Sequence, residues 1–239
     1  TRSVLQGGRA VISISGASDV PVGALVCNLA GAPQLQVSES HFLGNRARGI
    51  VAHANVTITN SEFSGCSLPA ILLAPDAHWM EGPAVQKVVI RDNHFSNCAY
   101  GKPDASQGVI TIDTTHDARP ERSGGPQVNK DIVVSGNTFD PSPAPAIYCA
   151  HASGVSLLKN TFAPRTFPIT LTGRIGAMKA ASPMQTAATV GDPVVIVDSD
   201  ELDLKENTST TGAVIVLSRC TGVDAASNVR LTVQRATSM

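Results

Sequence analysis

In residues 88–95, Val88-Val89-Ile90-Arg91-Asp92-Asn93-His94-Phe95, apolar side chains stand at alternate positions, an asparagine follows Ile90 by three residues, and a phenylalanine follows the asparagine by two. The alternation has the period of a strand with one buried face. The same offsets recur around other phenylalanines. Leu35, Val37 and Ser40 precede Phe42; Val56, Ile58 and Ser61 precede Phe63; Ile132, Val134 and Asn137 precede Phe139; Val155, Leu157 and Asn160 precede Phe162. Successive phenylalanines lie 21, 32, 44 and 23 residues apart, so the unit is 21–23 residues with an excursion before Phe95 and a longer one, or an extra coil, before Phe139.

A second apolar run begins seven residues after three of these phenylalanines: Gly49-Ile50-Val51, Ala70-Ile71-Leu72-Leu73 and Ala146-Ile147-Tyr148-Cys149. Pro69, Pro145 and Pro168 stand six residues after theirs, where a proline ends a turn ahead of a strand. No apolar stripe with helical spacing persists. A strand, a bend and a second strand repeated at this period predict an all-β fold, a right-handed parallel β-helix of the pectate-lyase-like kind. Each coil buries its inward residues only by stacking on the next, about 4.8 Å away. The asparagine is expected at a left-handed bend, its amide bonded to its counterpart one coil along, and the phenylalanines are expected to stack inside.

Weaker copies extend the pattern. Leu202, Leu204 and Asn207 fit, with Ser209 where phenylalanine belongs; Gly212–Leu217 resembles a second strand, and Val229, Leu231 and Val233 a last one. Val11–Ile14 and Ala24–Cys27 read as earlier coils, and Gly173–Asp192 as a loop leaving the solenoid. About nine or ten coils account for residues 1–239 as one domain, with a continuation upstream expected because no capping helix covers the open strand edges.

Composition agrees with such a core. The chain has 42% hydrophobic, 15% charged and 4% aromatic residues, 20 glycines, 15 prolines and a net charge of −1. The charge balance gives no basis for binding nucleic acid or an anionic membrane, and no apolar stretch approaches a membrane span. Five cysteines, Cys27, Cys66, Cys98, Cys149 and Cys220, leave at least one without an intramolecular partner and show no zinc spacing. Most read as small buried apolar residues. Cys66 and Cys98 share one template position, three residues past Phe63 and Phe95, which allows either a disulfide between stacked coils or an unbonded pair.

Three places concentrate residues suited to binding. Asp76-Ala77-His78-Trp79-Met80-Glu81-Gly82-Pro83 holds the only tryptophan between two carboxylates. Such a ring stacks on sugar C–H groups while Asp76 and Glu81 bind hydroxyls, although Trp79 can equally serve as a lid on the solenoid side. Arg46 and Arg48 precede a strand and suit a carboxylate or a sugar hydroxyl, or an Asp one coil away. Gly101–Lys130, with Asp104, Asp113, His116, Asp117 and Glu121, reads as a polar excursion able to line a groove or simply be solvated. None of the six histidines forms a metal-binding helix motif, and no nucleophile elbow or phosphate loop is present, so no cofactor or metal is expected. His41 and His94, each directly before a phenylalanine, are expected to point outward.

The runs Asn45-Arg46-Ala47-Arg48-Gly49-Ile50 and Val56-Thr57-Ile58, the Trp79-x-Glu81-Gly82 segment, and residues 88–95 with Cys98 together resemble glycoside hydrolase family 110. The resemblance spans roughly residues 34–165. It implies a β-helical, exo-acting α-1,3-galactosidase, some of which remove the terminal galactose of the blood-group B antigen. It also implies a partner glycan with terminal galactose, engaged by Arg46, Arg48, Asp76, Trp79 and Glu81. The family's carboxylates include an adjacent Asp-Asp pair upstream of the Arg-Ala-Arg run; this chain contains no Asp-Asp, and Asp19 is its only acidic residue before Glu39. Asn129-Lys130-Asp131-Ile132 also departs from the family's form. The chain is therefore expected to be the C-terminal part of such an enzyme or a relative without the catalytic pair. Inverting hydrolysis needs carboxylates about 6.5–9.5 Å apart, a span that neighbouring coils supply. An extracellular or periplasmic location follows from glycan chemistry. The alternative is a non-catalytic glycan-binding or adhesion scaffold resembling a tailspike; a polysaccharide lyase fits least, since clustered Asp for calcium is missing.

Overall fold

A computed structural model describes residues 2–6, 9–13, 31–75, 82–101, 107–114, 127–163 and 193–236. Three rows of parallel strands make up most of it. The first row is a seven-stranded sheet: Gln34–Ser38, Asn55–Thr59, Gln86–Arg91, Asn129–Ser135, Ala152–Leu158, Asp200–Lys205 and Val223–Ala226. The second row holds the phenylalanines in His41–Leu43, Glu62–Ser64, His94–Ser96, Thr138–Phe139 and Thr161–Phe162. The third holds Ile50–Ala52, Ile71–Leu73, Ile110–Ile112, Ile147–Ala150 and Val194–Val197. The long strand Thr208–Ser218 begins in the second row and finishes in the third, which joins the two rows into one sheet. No α-helix occurs among the described residues.

Register is constant along the phenylalanine row. Phe42 pairs with Phe63, Phe63 with Phe95, Phe95 with Phe139 and Phe139 with Phe162, and Ser209 takes the next place. The rings stack at centroid distances of 4.6, 5.1, 4.8 and 5.3 Å. Direct pairing of Phe95 with Phe139 shows that the 44-residue spacing contains no extra coil. The alternating positions of the first row, Val56, Ile58, Val88, Ile90, Ile132, Val134, Val155, Leu157, Leu202 and Leu204, face the core between the rows and are all buried.

The polar ladder lies at the bend between first and second rows. The backbone N–H of Asn93 donates to Asn137 Oδ1 (2.9 Å), that of Asn137 to Asn160 Oδ1 (3.1 Å) and that of Asn160 to Asn207 Oδ1 (3.0 Å). Each Nδ2 also reaches back to a carbonyl of the previous coil, as Asn137 does to Ile90 O at 2.9 Å. Asn93, Asn137, Asn160 and Asn207 are buried, and this exchange satisfies groups that burial would otherwise leave unpaired.

The expectation about the left-handed bend needs correcting by one position. The residues with positive φ are Asp92, Gly136, Lys159 and Glu206, each immediately before the ladder asparagine, with Glu39 and Asn60 equivalent in the first two coils. The asparagine is selected for its amide, and its neighbour makes the turn.

Two further departures follow. Val11–Ile14 was expected to begin an earlier coil, but Arg9–Ser13 pairs antiparallel with Arg2–Gln6 in a separate two-stranded sheet. Gly7-Gly8 between two alternating runs is a hairpin signal that competes with the coil reading. Conversely, Val223–Ala226 adds a coil that the template missed: Asn228 Oδ1 accepts from Asn207 N–H at 2.9 Å, but Arg230 stands two residues later where phenylalanine was sought. Ala24–Cys27, Pro168 and Gly173–Asp192 lie outside the described residues.

Candidate functional site

Arg46 and Arg48 occupy the corner between the second and third rows. The corner is fixed by its neighbour coil: Ser67 N–H donates to Asn45 O (3.0 Å), Leu68 N–H to Ala47 O (3.1 Å), and the Ser67 hydroxyl to Arg46 O. Inside the corner, Asn45 Nδ2 donates to Arg48 O at 3.2 Å. Gly49 is required there, because a Cβ would come within 2.6 Å of Ala70 O and 3.0 Å of the Phe63 ring. Arg46 is exposed and Arg48 half-buried. Arg48 Nε is buried and has no hydrogen-bond partner among the described residues. A guanidinium with an unused inward N–H is costly unless another acceptor arrives, and a sugar hydroxyl or carboxylate is such an acceptor.

His53 stands at the other end of the strand Ile50–Ala52, five residues from Arg48 and so at most about 16 Å away in extended chain. Its Nδ1 donates to Ala74 O at 2.5 Å, which leaves Nε2 as the ring's second polar atom. Gly82, at φ +62°, packs directly on the His53 side chain, and a Cβ at that position would overlap it. Ala74 and Gly82 flank in sequence the segment that carries Asp76, Trp79 and Glu81, and His53 meets both. Asp76, Trp79 and Glu81 themselves lie outside the described residues.

Asp113 joins the same side. Residues 101–130 were expected to form one excursion, but they contain the third-row strand Ile110–Ile112, which pairs with Ile71–Leu73. Asp113 therefore follows that strand beside Ala74, two coils from His53, and its N–H donates to Leu73 O at 3.0 Å. Asn129 Nδ2 holds its carbonyl at 2.9 Å. Asp104, His116, Asp117 and Glu121 lie outside the described residues.

A second polar feature lies around the other corner. A cleft of about 460 Å³ runs along the bend between first and second rows, lined in part by His41, Glu62, Asp92, His94 and Thr138. His41 Nδ1 meets Glu62 Oε2 at 3.0 Å and His94 Nε2 meets Asp140 Oδ2 at 3.0 Å. Both histidines are exposed, as their place before the phenylalanine predicted. The carboxylate partners, each one coil away, had no signature in the repeat. Also unanticipated is Asp198, buried and held by Arg219 through Nε at 2.6 Å and Nη2 at 2.7 Å. That bond keeps the Arg219 guanidinium firmly protonated. Among the described residues, no group of His, Cys, Asp and Glu is arranged to hold a metal ion, and no helix is long and apolar enough to cross a membrane.

Sequence comparison adds a class to this geometry. The chain is 30% identical over 146 residues to α-1,3-galactosidase A of Bacteroides fragilis, a match covering 59% of the chain and 23% of that protein. It is 30% identical over 141 residues to α-1,3-galactosidase A of Akkermansia muciniphila, covering 58% and 22%. With α-1,3-galactosidase B of Bacteroides thetaiotaomicron it shares 30% identity over 154 residues, covering 63% and 24%. No family model matches. The chain is thus a relative of the α-1,3-galactosidases, as its resemblance to glycoside hydrolase family 110 implied, and it spans about a quarter of the length of these relatives.

Proposed function

We propose that this chain is the glycan-engaging part of a carbohydrate-active right-handed parallel β-helix, one domain, that recognises terminal α-linked galactose outside the cytoplasm. The observation that carries this reading is the Arg48 corner, whose buried Nε has no partner among the described residues, at one end of the strand Ile50–Ala52 with His53 beyond the other end, within a chain similar to α-1,3-galactosidases. Arg46 and Arg48 donate to sugar oxygens, His53 Nε2 and the carboxylates of Asp76, Glu81 and Asp113 accept from hydroxyls, and Trp79 stacks on the apolar sugar face. Inverting hydrolysis of the terminal galactoside is the reaction of the whole protein. Its acid and base are not assigned to residues of this chain, which has no adjacent Asp pair.

That lack favours a second reading for the chain taken alone, binding without turnover. Isothermal titration with methyl α-galactoside and with an α-1,3-linked galactose disaccharide separates the outcomes. Saturable heat with the α-linked sugars, absent with β-galactosides, supports the reading; absence of heat with all of them overturns it.

A further inference from the structure

Ser64 pairs with Ser96 in the second row, and two residues beyond each lie Cys66 and Cys98, on neighbouring coils. The backbone keeps the register past the strands, since Ala99 N–H donates to Cys66 O at 2.9 Å. Both thiols are fully buried, and Cys98 Sγ lies 3.3 Å from Ser96 O and 3.5 Å from Phe63 O. The adjoining coils place Asn45 before this pair and Ser142 after it, the latter donating its hydroxyl to Cys98 O at 2.7 Å. Cys149 sits in the third row between Ile112 and Ile196, and Cys220 beyond Ser218, near Ile196 O. Among the described residues, the fold therefore brings two sulfurs into this column and keeps the others out.

We propose that Cys66 and Cys98 form a dithiol that closes to a disulfide on meeting a disulfide oxidant of the glutathione class, stapling two neighbouring coils. Adjacent coils stand about 4.8 Å apart, within the roughly 4.4–6.8 Å Cα separation a disulfide accepts. All four described cysteines are free thiols in this structure. The thiols share a hydrogen bond that holds Cys66 below the ordinary thiol value, against burial, and drives Cys98 above it, with burial adding to the rise. Cys66 is accordingly the attacking group.

The Cys66 thiolate attacks one sulfur of oxidised glutathione, forming a mixed disulfide and expelling one glutathione thiolate. Cys98 then gives up its proton and attacks Cys66 Sγ, expelling the second. The protein loses two electrons and two protons, and one oxidised glutathione becomes two reduced molecules. Burial makes this slow in the folded chain and faster while it folds.

The test is to refold the reduced chain with oxidised glutathione or with dithiothreitol, alkylate it under denaturing conditions and map the peptides. The expected result is a Cys66–Cys98 linked peptide only in the oxidised sample, with Cys149 and Cys220 alkylated in both. The oxidised chain should also melt about 4 °C or more above the reduced one, a rise absent in C66A and C98A. Full alkylation of Cys66 and Cys98 after oxidation, or their linkage to any other cysteine, overturns the proposal. The wild-type peptide map decides even if the variants fail to fold.

Discussion

Asn137 shows how one side chain stabilises three coils. Its Nδ2 donates to Ile90 O and Ser135 O of the backbone, and its Oδ1 accepts from Asn93 N–H while the amide group bonds Asn160 Oδ1. Asn137→Ala leaves several of these groups buried and unpaired, each worth about 1–3 kcal/mol. Urea titration should therefore show a loss of about 3 kcal/mol or more, and Asn137→Asp should not restore it, because a carboxylate cannot donate. Cys149 makes a different prediction at the same scale. It is fully buried, and burial pushes its thiol up to about 12, opposed by the Ser199 hydroxyl. The unfolded thiol, with an ordinary value of 9.0, loses its proton first, so between pH 9 and about 12 the unfolded state binds fewer protons and stability falls as pH rises. Below pH 9 this contribution is fully present. Cys149→Ala should flatten the decline in melting temperature across that window, which a thermal scan at several pH values reads directly.

At the scale of elements, each coil depends on a tight left-handed corner before its ladder residue. Gly136 occupies that corner in one coil, whereas Lys159 holds it in the next at φ +55°. A side chain in this conformation costs roughly 1–2 kcal/mol, partly offset by the greater chain entropy glycine loses on folding. The Lys159–Glu206 ion pair, at 3.6 Å with both side chains exposed, contributes little. Lys159→Gly should raise stability by about 0.5–1 kcal/mol in chemical denaturation. The strands themselves were legible because phenylalanine, asparagine and alternating aliphatics each recur at fixed offsets. The corner residue was not, since Asp92, Gly136, Lys159 and Glu206 share a backbone angle and no side-chain chemistry. The coil at Val223–Ala226 is illegible for a different reason: it keeps the asparagine, but Ala225 stands where the other coils carry a larger aliphatic side chain and Arg230 where the ring belongs.

Across the whole molecule, stacking converts residues distant in sequence into neighbours on one side. Arg48, His53, Asp113 and the roots of the Trp79 segment come from three successive coils around the third row. Arg46, Arg48 and Trp79 were visible in the sequence as unusual residues in a neutral, aromatic-poor chain. His53 was not, because its importance arises from Ala74 and Gly82, 21 and 29 residues away, and only the fold sets them against its ring. Asp113 looked like part of a loop because the strand before it begins 15 residues after Phe95, whereas the strands at Ile50 and Ile71 begin eight after their phenylalanines. The Asp198–Arg219 pair likewise joins residues 21 apart that lie outside the template.

Trp79 is the sole tryptophan, so its fluorescence reports on the proposed site without a label. Titrating the chain with an α-1,3-linked galactose disaccharide, and in parallel with its β-linked isomer, tests the central claim most directly. The account predicts a saturable change in Trp79 emission with the α-linked sugar alone, weakened at least tenfold in apparent affinity by Arg48→Ala. Unchanged emission, or an equal response to both isomers that Arg48→Ala leaves intact, would contradict it.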